Sequence, residues 1–269
     1  MTSEKVVLIT GASSGFGYLL AQALAQKGYI VFGTSRNPSA STPSTGVTML
    51  SLDVRSDDSV KDCIQAVSSR TNRVDILVNN AGYVLEGPLE EVSIEQLKAQ
   101  FETNFFGAVR MVNAILPMMR RQRSGHIINV SSVAGLLPLP FLGPYCASKF
   151  ALEGYSESLR HELKPLGIHV SLVEPSFYKT KLASNKERTT GQLADYDPHR
   201  QRMIASITRI EENSPDPKVV VDTIAQIVES KSPRLRHVLG QLRLSCVMRG
   251  FMPEPMWESG IRRYWKIDK

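Results

Sequence analysis

Val6-Val7-Leu8-Ile9-Thr10-Gly11-Ala12-Ser13-Ser14-Gly15-Phe16-Gly17 opens the chain with an apolar run, a glycine-rich turn and the start of a helical pattern. A short β-branched run bounded by polar residues suits a strand buried on both faces. Phe16, Leu20, Ala23, Leu24 and Lys27 then follow helical spacing, with Gly28 as the expected stop. Glycine permits a tight turn and a close approach of the backbone to a ligand. The N-terminus of the following helix offers free N–H groups and a partial positive charge to an anion. The turn therefore reads as a pyrophosphate cradle formed by Gly11, Ser13, Ser14, Gly15, Phe16 and Gly17. Its spacing is G-x-x-x-G-x-G rather than the commoner G-x-G-x-x-G, and a tight turn without a ligand is the plainer alternative.

Outward from this turn the pattern alternates. Strands are predicted over 29–32, 47–52, 76–78, 126–130 and 168–173, and helices over 60–67, 94–121 and 152–163. Pro117 is expected to kink or locally break the helix that contains it. Alternating strands and helices predict an α/β fold, a doubly wound parallel sheet with helices on both faces, in one domain over residues 1–269. Residues 37–46 read as a surface loop, 176–215 as a polar, irregular substrate loop or lid, and 241–269 as a C-terminal extension.

The composition excludes several classes. Of the 269 residues, 42% are hydrophobic and 22% charged, which excludes disorder and fibrous repeats. Cys63, Cys146 and Cys246 show neither metal-ligand nor redox spacing, and the five histidines show no ligand spacing, so no metal is expected. No apolar run reaches the roughly 18 residues needed to span a bilayer, and no signal peptide is visible, so the cytoplasm is the expected location. Lys+Arg exceed Asp+Glu by 32 − 26 = 6, which suits an acidic partner such as nucleic acid or a phosphorylated cofactor.

The positions of the charges favour the cofactor. The second strand ends in Gly33-Thr34-Ser35-Arg36, without the carboxylate that binds an adenosine ribose 2′-hydroxyl. Arg36 can instead hold a 2′-phosphate through charge-assisted bonds, so NADP(H) is expected ahead of NAD(H).

Tyr145-Cys146-Ala147-Ser148-Lys149 begins a helical stretch and places Tyr145 and Lys149 one turn apart. A free phenol, with pKa about 10, is a poor base near neutrality. A neighbouring ammonium is expected to lower that value and make Tyr145 a proton-transfer group. Two residues four apart on a helix are by themselves ordinary neighbours. Ser132 closes a strand 13 residues before Tyr145 (145 − 132) and reads either as a substrate-oxygen ligand or as a cap. Asn79-Asn80-Ala81-Gly82 ends another strand, where ligands gather in open sheets. Asn104 is an amide in an apolar helix, either functional or simply satisfied in the core.

With these elements together, the chain resembles the short-chain dehydrogenase/reductase family in its single-domain form. The matching residues are the 10–17 turn, Asp53-Val54, 79–82, Asn104, Ser131-Ser132, Tyr145-x-x-x-Lys149 and Pro175, all within residues 5–180. The resemblance implies a Rossmann-type fold and a set of roles. Tyr145 is the proton donor or acceptor, and Lys149 tunes it and binds the nicotinamide ribose. Ser132 orients the substrate oxygen, and Asn104 holds a water of the proton relay. Asp53 contacts adenine, Asn80 lies at the cofactor, and Thr180 bonds the nicotinamide carboxamide. The chain departs from the family pattern at Ser176, where relatives usually carry glycine after the proline.

The implied function is NADP(H)-dependent hydride exchange with a carbonyl or secondary alcohol. Val84, Leu85, Leu136, Leu137, Leu139, Phe141, Leu142, Phe177 and Tyr178 flank the catalytic positions, so a lipophilic steroid, retinoid or fatty carbonyl substrate is expected. The resemblance to hydroxysteroid and retinol dehydrogenases points the same way. The alternative is a non-catalytic NADP(H) sensor on the same fold. Residues 242–265 mix basic and apolar side chains and could form an interfacial patch. The reading taken is instead a cover over the substrate site or a subunit contact, with no nucleic-acid or membrane partner. A homodimer or homotetramer is expected from the resemblance.

Overall fold

In the computed structural model, residues 5–40, 45–179 and 186–267 are described. The apolar runs form strands β1 (Val6–Ile9), β2 (Ile30–Ser35), β3 (Val47–Ser51), β4 (Ile76–Asn79), β6 (Gly125–Val130), β7 (Ile168–Pro175) and β9 (Arg236–Leu239), and a short β5 (Val84–Glu86) and β8 (Lys186–Arg188) pair separately. The main sheet has the order β3-β2-β1-β4-β6-β7-β9, and its pairings are parallel. The order reverses between β1 and β4, and ligands of open α/β sheets bind beyond the strand carboxyl ends at such a point.

Helices cover both faces. On one, α2 (Asp57–Ser68), α4 (Gly107–Gln122) and α5 (Gly143–Leu163) bury Val60, Met111, Ile115 and Leu159 against Leu8, Leu77 and Ile127. On the other, α1 (Gly15–Gln26) and α7 (Lys218–Glu229) bury Leu20, Leu24, Val220 and Ile224 against Val7, Ile9 and Val78. The doubly wound Rossmann-type sheet expected from the sequence is thus present. A third apolar cluster lies at the carboxyl edge and contains Tyr145, Leu137, Leu142, Met203, Ile207 and Trp265.

Three segments differ from the sequence reading. The predicted helix over 94–121 divides into α3 (Ile94–Phe101) and α4, joined by a π turn over Glu102–Phe106, while Pro117 lies within α4. The widened turn, rather than the proline, is the interruption, and it turns Asn104 into the protein. The polar stretch 176–215 is not irregular throughout, because it contains α6 (Asp197–Glu212). That helix buries Met203 and Ile207, one turn apart, with Ile210 partly buried beside them, and most of its other residues are polar, so its periodicity is weak. The extension beyond residue 240 folds as α8 (Arg243–Met248) and α9 (Glu254–Tyr264). Within the 37–46 loop, Pro38–Ala40 make one 3-10 turn.

Candidate active site

The turn after β1 is built by glycines at positions of tight contact. Gly11 and Gly15 adopt left-handed backbone angles, φ +66° and +56°. Gly17 needs its missing side chain for another reason: a Cβ there would lie 2.5 Å from both the Gly11 carbonyl oxygen and Asn80 Nδ2. Asn80 Nδ2 donates to the carbonyls of Thr10 and Gly11 (both 3.0 Å), and Thr10 Oγ1 accepts from the backbone N–H groups of Asn80 (2.9 Å) and Ala81 (3.0 Å). The end of β4 therefore locks the turn in place. No side chain caps α1, and its first turn carries no acidic residue, so its N-terminal N–H groups face the cleft without a competing carboxylate.

These groups line one end of a cavity of about 570 Å³. Arg36 and Asp53 line it beyond the ends of β2 and β3, and Ser132, Tyr145, Lys149 and Pro175 line its other end. Gly11, Ser13, Ser14, Gly15, Phe16 and Asn80 all reach the same space. The extended shape, the uncapped helix terminus and the hydroxyl-rich far end fit a dinucleotide. Gly17 and Asn104 stand behind the wall rather than in it, and Thr180 lies outside the described residues.

Arg55 escaped the sequence reading. Its guanidinium makes a forked pair with the Asp53 carboxylate, at 2.7 Å in the shortest contact, and holds that carboxyl below its usual range. Asp53 therefore brings little uncompensated negative charge to the adenosine end, where Arg36 is exposed.

At the other end, Lys149 Nζ sits 5.8 Å from the centre of the Tyr145 ring and donates to the Val130 carbonyl at 2.8 Å. Side-by-side placement follows the helical spacing, but the acidification expected of Tyr145 is not what this environment produces. Burial pushes the phenol up to about 12, opposed by a hydrogen bond from Ser132. Burial also pushes Lys149 down to about 8, opposed by Glu153. Desolvation of both groups outweighs their neighbourhood, and the ammonium is engaged by a carbonyl. Ser132 Oγ also caps the next turn by accepting from Ala134 N (3.1 Å), so the cap and the wall position coexist.

Asn104 is 2% exposed. Its Oδ1 accepts from Tyr83 N and its Nδ2 donates to Tyr83 O, both at 3.0 Å, and Nδ2 also approaches Ser148 Oγ at 3.3 Å. Ser148 Oγ in turn donates to Tyr145 O at 2.8 Å. Asn104 thus ties the Tyr83 backbone to α5.

A second, smaller apolar pocket of about 80 Å³ opens beside Tyr145 and Ser132. Val84, Leu139, Leu142, Phe177 and Tyr178 line it as expected, joined by Val133 and Ile207, which were not expected. Leu85, Leu136, Leu137 and Phe141 do not reach it: Leu85 is fully buried, and the other three pack in the cluster behind. Ser176 touches both spaces, and its hydroxyl occupies room left by Gly240, which explains how its extra bulk is accommodated.

A doubly wound parallel sheet with a phosphate-type turn at its switch point defines the class of dinucleotide-binding α/β proteins. Within that class the chain belongs to the short-chain dehydrogenase family of oxidoreductases, whose profile, described as short chain dehydrogenase, matches residues 5–191. The chain is 40% identical to a 3-ketodihydrosphingosine reductase of Bacteroides thetaiotaomicron over 98% of each protein. It is similar to the crystal structure of a short-chain dehydrogenase from Streptomyces avermitilis, with TM-score 0.82, 32% identity and 98% coverage of both chains. A short chain dehydrogenase/reductase from Burkholderia phymatum in complex with NAD matches at TM-score 0.79 and 26% identity, over 92% of this chain and 93% of that one. No described helix is long and apolar enough to cross a membrane, and no cluster of metal-binding side chains occurs among the described residues.

Proposed function

We propose that the chain is an NADP(H)-dependent carbonyl reductase or alcohol dehydrogenase acting on a lipophilic substrate. The observation that carries this reading is that Tyr145 and Ser132 stand on the wall shared by the dinucleotide-sized cavity and the apolar pocket. The glycine turn and α1 N-terminus hold the pyrophosphate, Arg36 the 2′-phosphate, Asp53 the adenine side, and Asn80, Lys149 and Pro175 the nicotinamide end. Thr180 belongs to that end by resemblance alone. When bound, the nicotinamide supplies a hydride to the carbonyl carbon or takes one from the alcohol carbon. Ser132 orients the substrate oxygen, and Tyr145 gives it a proton in reduction. A phenol held near 12 carries its proton at neutral pH, and the alkoxide-like oxygen that develops as the hydride arrives is basic enough to take it. Lys149 keeps a positive charge beside the developing phenolate, while Asn104 positions the Tyr83 segment and α5. The wall residues Val84, Leu139, Leu142 and Phe177 favour an apolar chain or ring next to the reacting carbonyl. The name of the Bacteroides relative, 3-ketodihydrosphingosine reductase, supports the same substrate class. Residues 176–215 act as its cover, the whole chain works as one domain, and pairing through α4 and α5 to a homodimer or homotetramer in the cytoplasm completes the reading.

NADPH oxidation across a panel of lipophilic ketones tests it. Activity with NADPH above NADH is expected, lost by about 10²-fold or more in Tyr145→Phe, and Arg36→Ala should lower the preference for NADPH. Nucleotide binding without turnover of any ketone would favour the sensor; full activity of Tyr145→Phe would remove the mechanism.

A further inference from the structure

Tyr145, Lys149, Glu153 and Glu157 follow one another at every fourth position of α5, so they form one row along the helix. The first three are buried. Tyr145 and Lys149 line the nucleotide-sized cavity, while Glu153 lies one turn further on and lines neither space.

The surroundings of Glu153 bring it against the same end of the cavity from behind. The point that a Gly135 Cβ would take lies 2.9 Å from Glu153 Cγ, 2.9 Å from Ser131 Oγ and 3.1 Å from the Lys149 carbonyl oxygen. Ser131 lines the cavity and follows Val130, whose carbonyl accepts from Lys149 Nζ at 2.8 Å. Arg236 of β9 holds Glu153 Oε2, whereas Oε1 is buried without a hydrogen-bond partner among the described residues. Arg236 does not cancel this carboxylate, because it also pairs with Glu157 and Glu174. Even with Glu174 protonated, Arg236, Glu153 and Glu157 sum to 1 − 2 = −1. The other groups near this row are uncharged at neutral pH. Burial holds the Tyr145 phenol at about 12, and it holds the thiol of Cys246, on α8 beside Glu174 and Glu153, at about 11. Ser131 is a neutral hydroxyl, and Asn104, whose Oδ1 shares the space at Gly82 with Lys149 Nζ, is a neutral amide. Burial pushes Lys149 down, and Glu153 is what opposes it.

We propose that Glu153 is a positioning residue for the reaction, a buried carboxylate that keeps Lys149 an ammonium beside Tyr145. The inference rests on the hydride-transfer reading of Tyr145 and Lys149, yet the charge on Lys149 is measurable without turnover.

Carbon-13 NMR of the whole chain carrying ε-carbon-labelled lysine, with the Lys149 signal identified by its loss in Lys149→Arg, follows that charge against pH. In Glu153→Gln the midpoint should fall by about one pH unit, since the opposing charge is gone while Arg236 stays. The alkaline limb of kcat/KM for ketone reduction by NADPH should fall with it. Glu153→Met keeps the length without polar atoms and should repeat the fall, and Glu153→Asp keeps the charge and should stay closer to the parent than either. A carboxylate that only ties α5 to β9 would leave the midpoint in place. An unchanged or raised midpoint in the two neutral variants therefore overturns the proposal, as does an alkaline limb that stays put while the midpoint falls. A parent chain that turns over no ketone would refute the hydride-transfer reading, with the Lys149 midpoint still deciding whether Glu153 keeps that side chain charged.

Discussion

At the level of single residues, the cradle depends on what is missing at position 17. A methyl group there would press on the Gly11 carbonyl and on the amide of Asn80, the side chain that ties β4 to the turn. Overpacking of this kind costs about 1–3 kcal/mol, and the displaced atoms are backbone that lines the nucleotide cavity. Gly17→Ala should therefore weaken NADPH binding by at least about tenfold, as read by fluorescence titration. Gly154 is the control, since a Cβ on this exposed α5 residue meets nothing within 4 Å. Gly154→Ala should leave binding unchanged and gain up to about 1 kcal/mol in stability. Equal behaviour of the two variants would refute this account of the turn. The cradle and the Tyr145–Lys149 pair were legible because both depend on spacing within a few residues. The tuning of Tyr145 was not, because its phenol responds to burial by segments distant in sequence, which outweighs its neighbour on the helix. Asn104 was visible as an odd amide, but its partners depend on a π turn that no residue type announces.

Among the elements, those with one broad apolar face were readable, and those held by two or three side chains were not. Strand β1 and the first three residues of β4 are continuous apolar runs, whereas α6 fully buries only Met203 and Ile207 of its 16 residues, with Ile210 partly buried beside them. The C-terminal pair α8 and α9 is held in a similar way, and Trp265, just past α9, is its principal anchor at 1% exposure. The Trp265 ring lies edge-on to Phe177, 6.2 Å between centres, so one side chain links the tail to a wall of the small apolar pocket. Trp265→Ala should cost about 3–5 kcal/mol in urea unfolding. Trp265 Nε1 finds no hydrogen-bond partner among the described residues, so Trp265→Phe, which removes only that donor and part of the ring, should cost about half as much or less. A loss below about 1 kcal/mol for Trp265→Ala would mean that the tail is not anchored through this ring.

For the molecule as a whole, the dependence of stability on pH should report a buried charge cluster that joins three elements. Glu174 on β7 is wholly buried, Glu153 on α5 nearly so, and both contact Arg236 on β9, which also pairs with Glu157 at 2.5 Å. Glu174 further accepts from the backbone N–H of His237 at 2.8 Å. Three carboxylates thus share one guanidinium. Burial, aided by Glu153, pushes Glu174 up to about 8, against Arg236 and the His237 N–H. A carboxyl whose folded value lies above its unfolded one stabilises fully below the unfolded value of about 4.5, and that contribution is lost as pH rises through the folded value. His126 has the opposite sign. Burial holds it down to about 3, so its contribution is present above 6.5 and fades as pH falls towards 3. Between about pH 7.5 and 8 an unfolded histidine, with its ordinary value of 6.5, is nearly all neutral, so the opposing slopes of His126, His169 and His237 have faded and Glu174 contributes the larger slope. Stability from denaturant unfolding should fall across that interval by about 1.4 kcal/mol per pH unit at most, the value for one proton. Glu174→Gln keeps an acceptor for the His237 N–H and removes the titration, so its slope should be less than half that of the parent. An identical slope would mean that Glu174 is already ionised at neutral pH, with Arg236 outweighing the loss of water around three carboxylates.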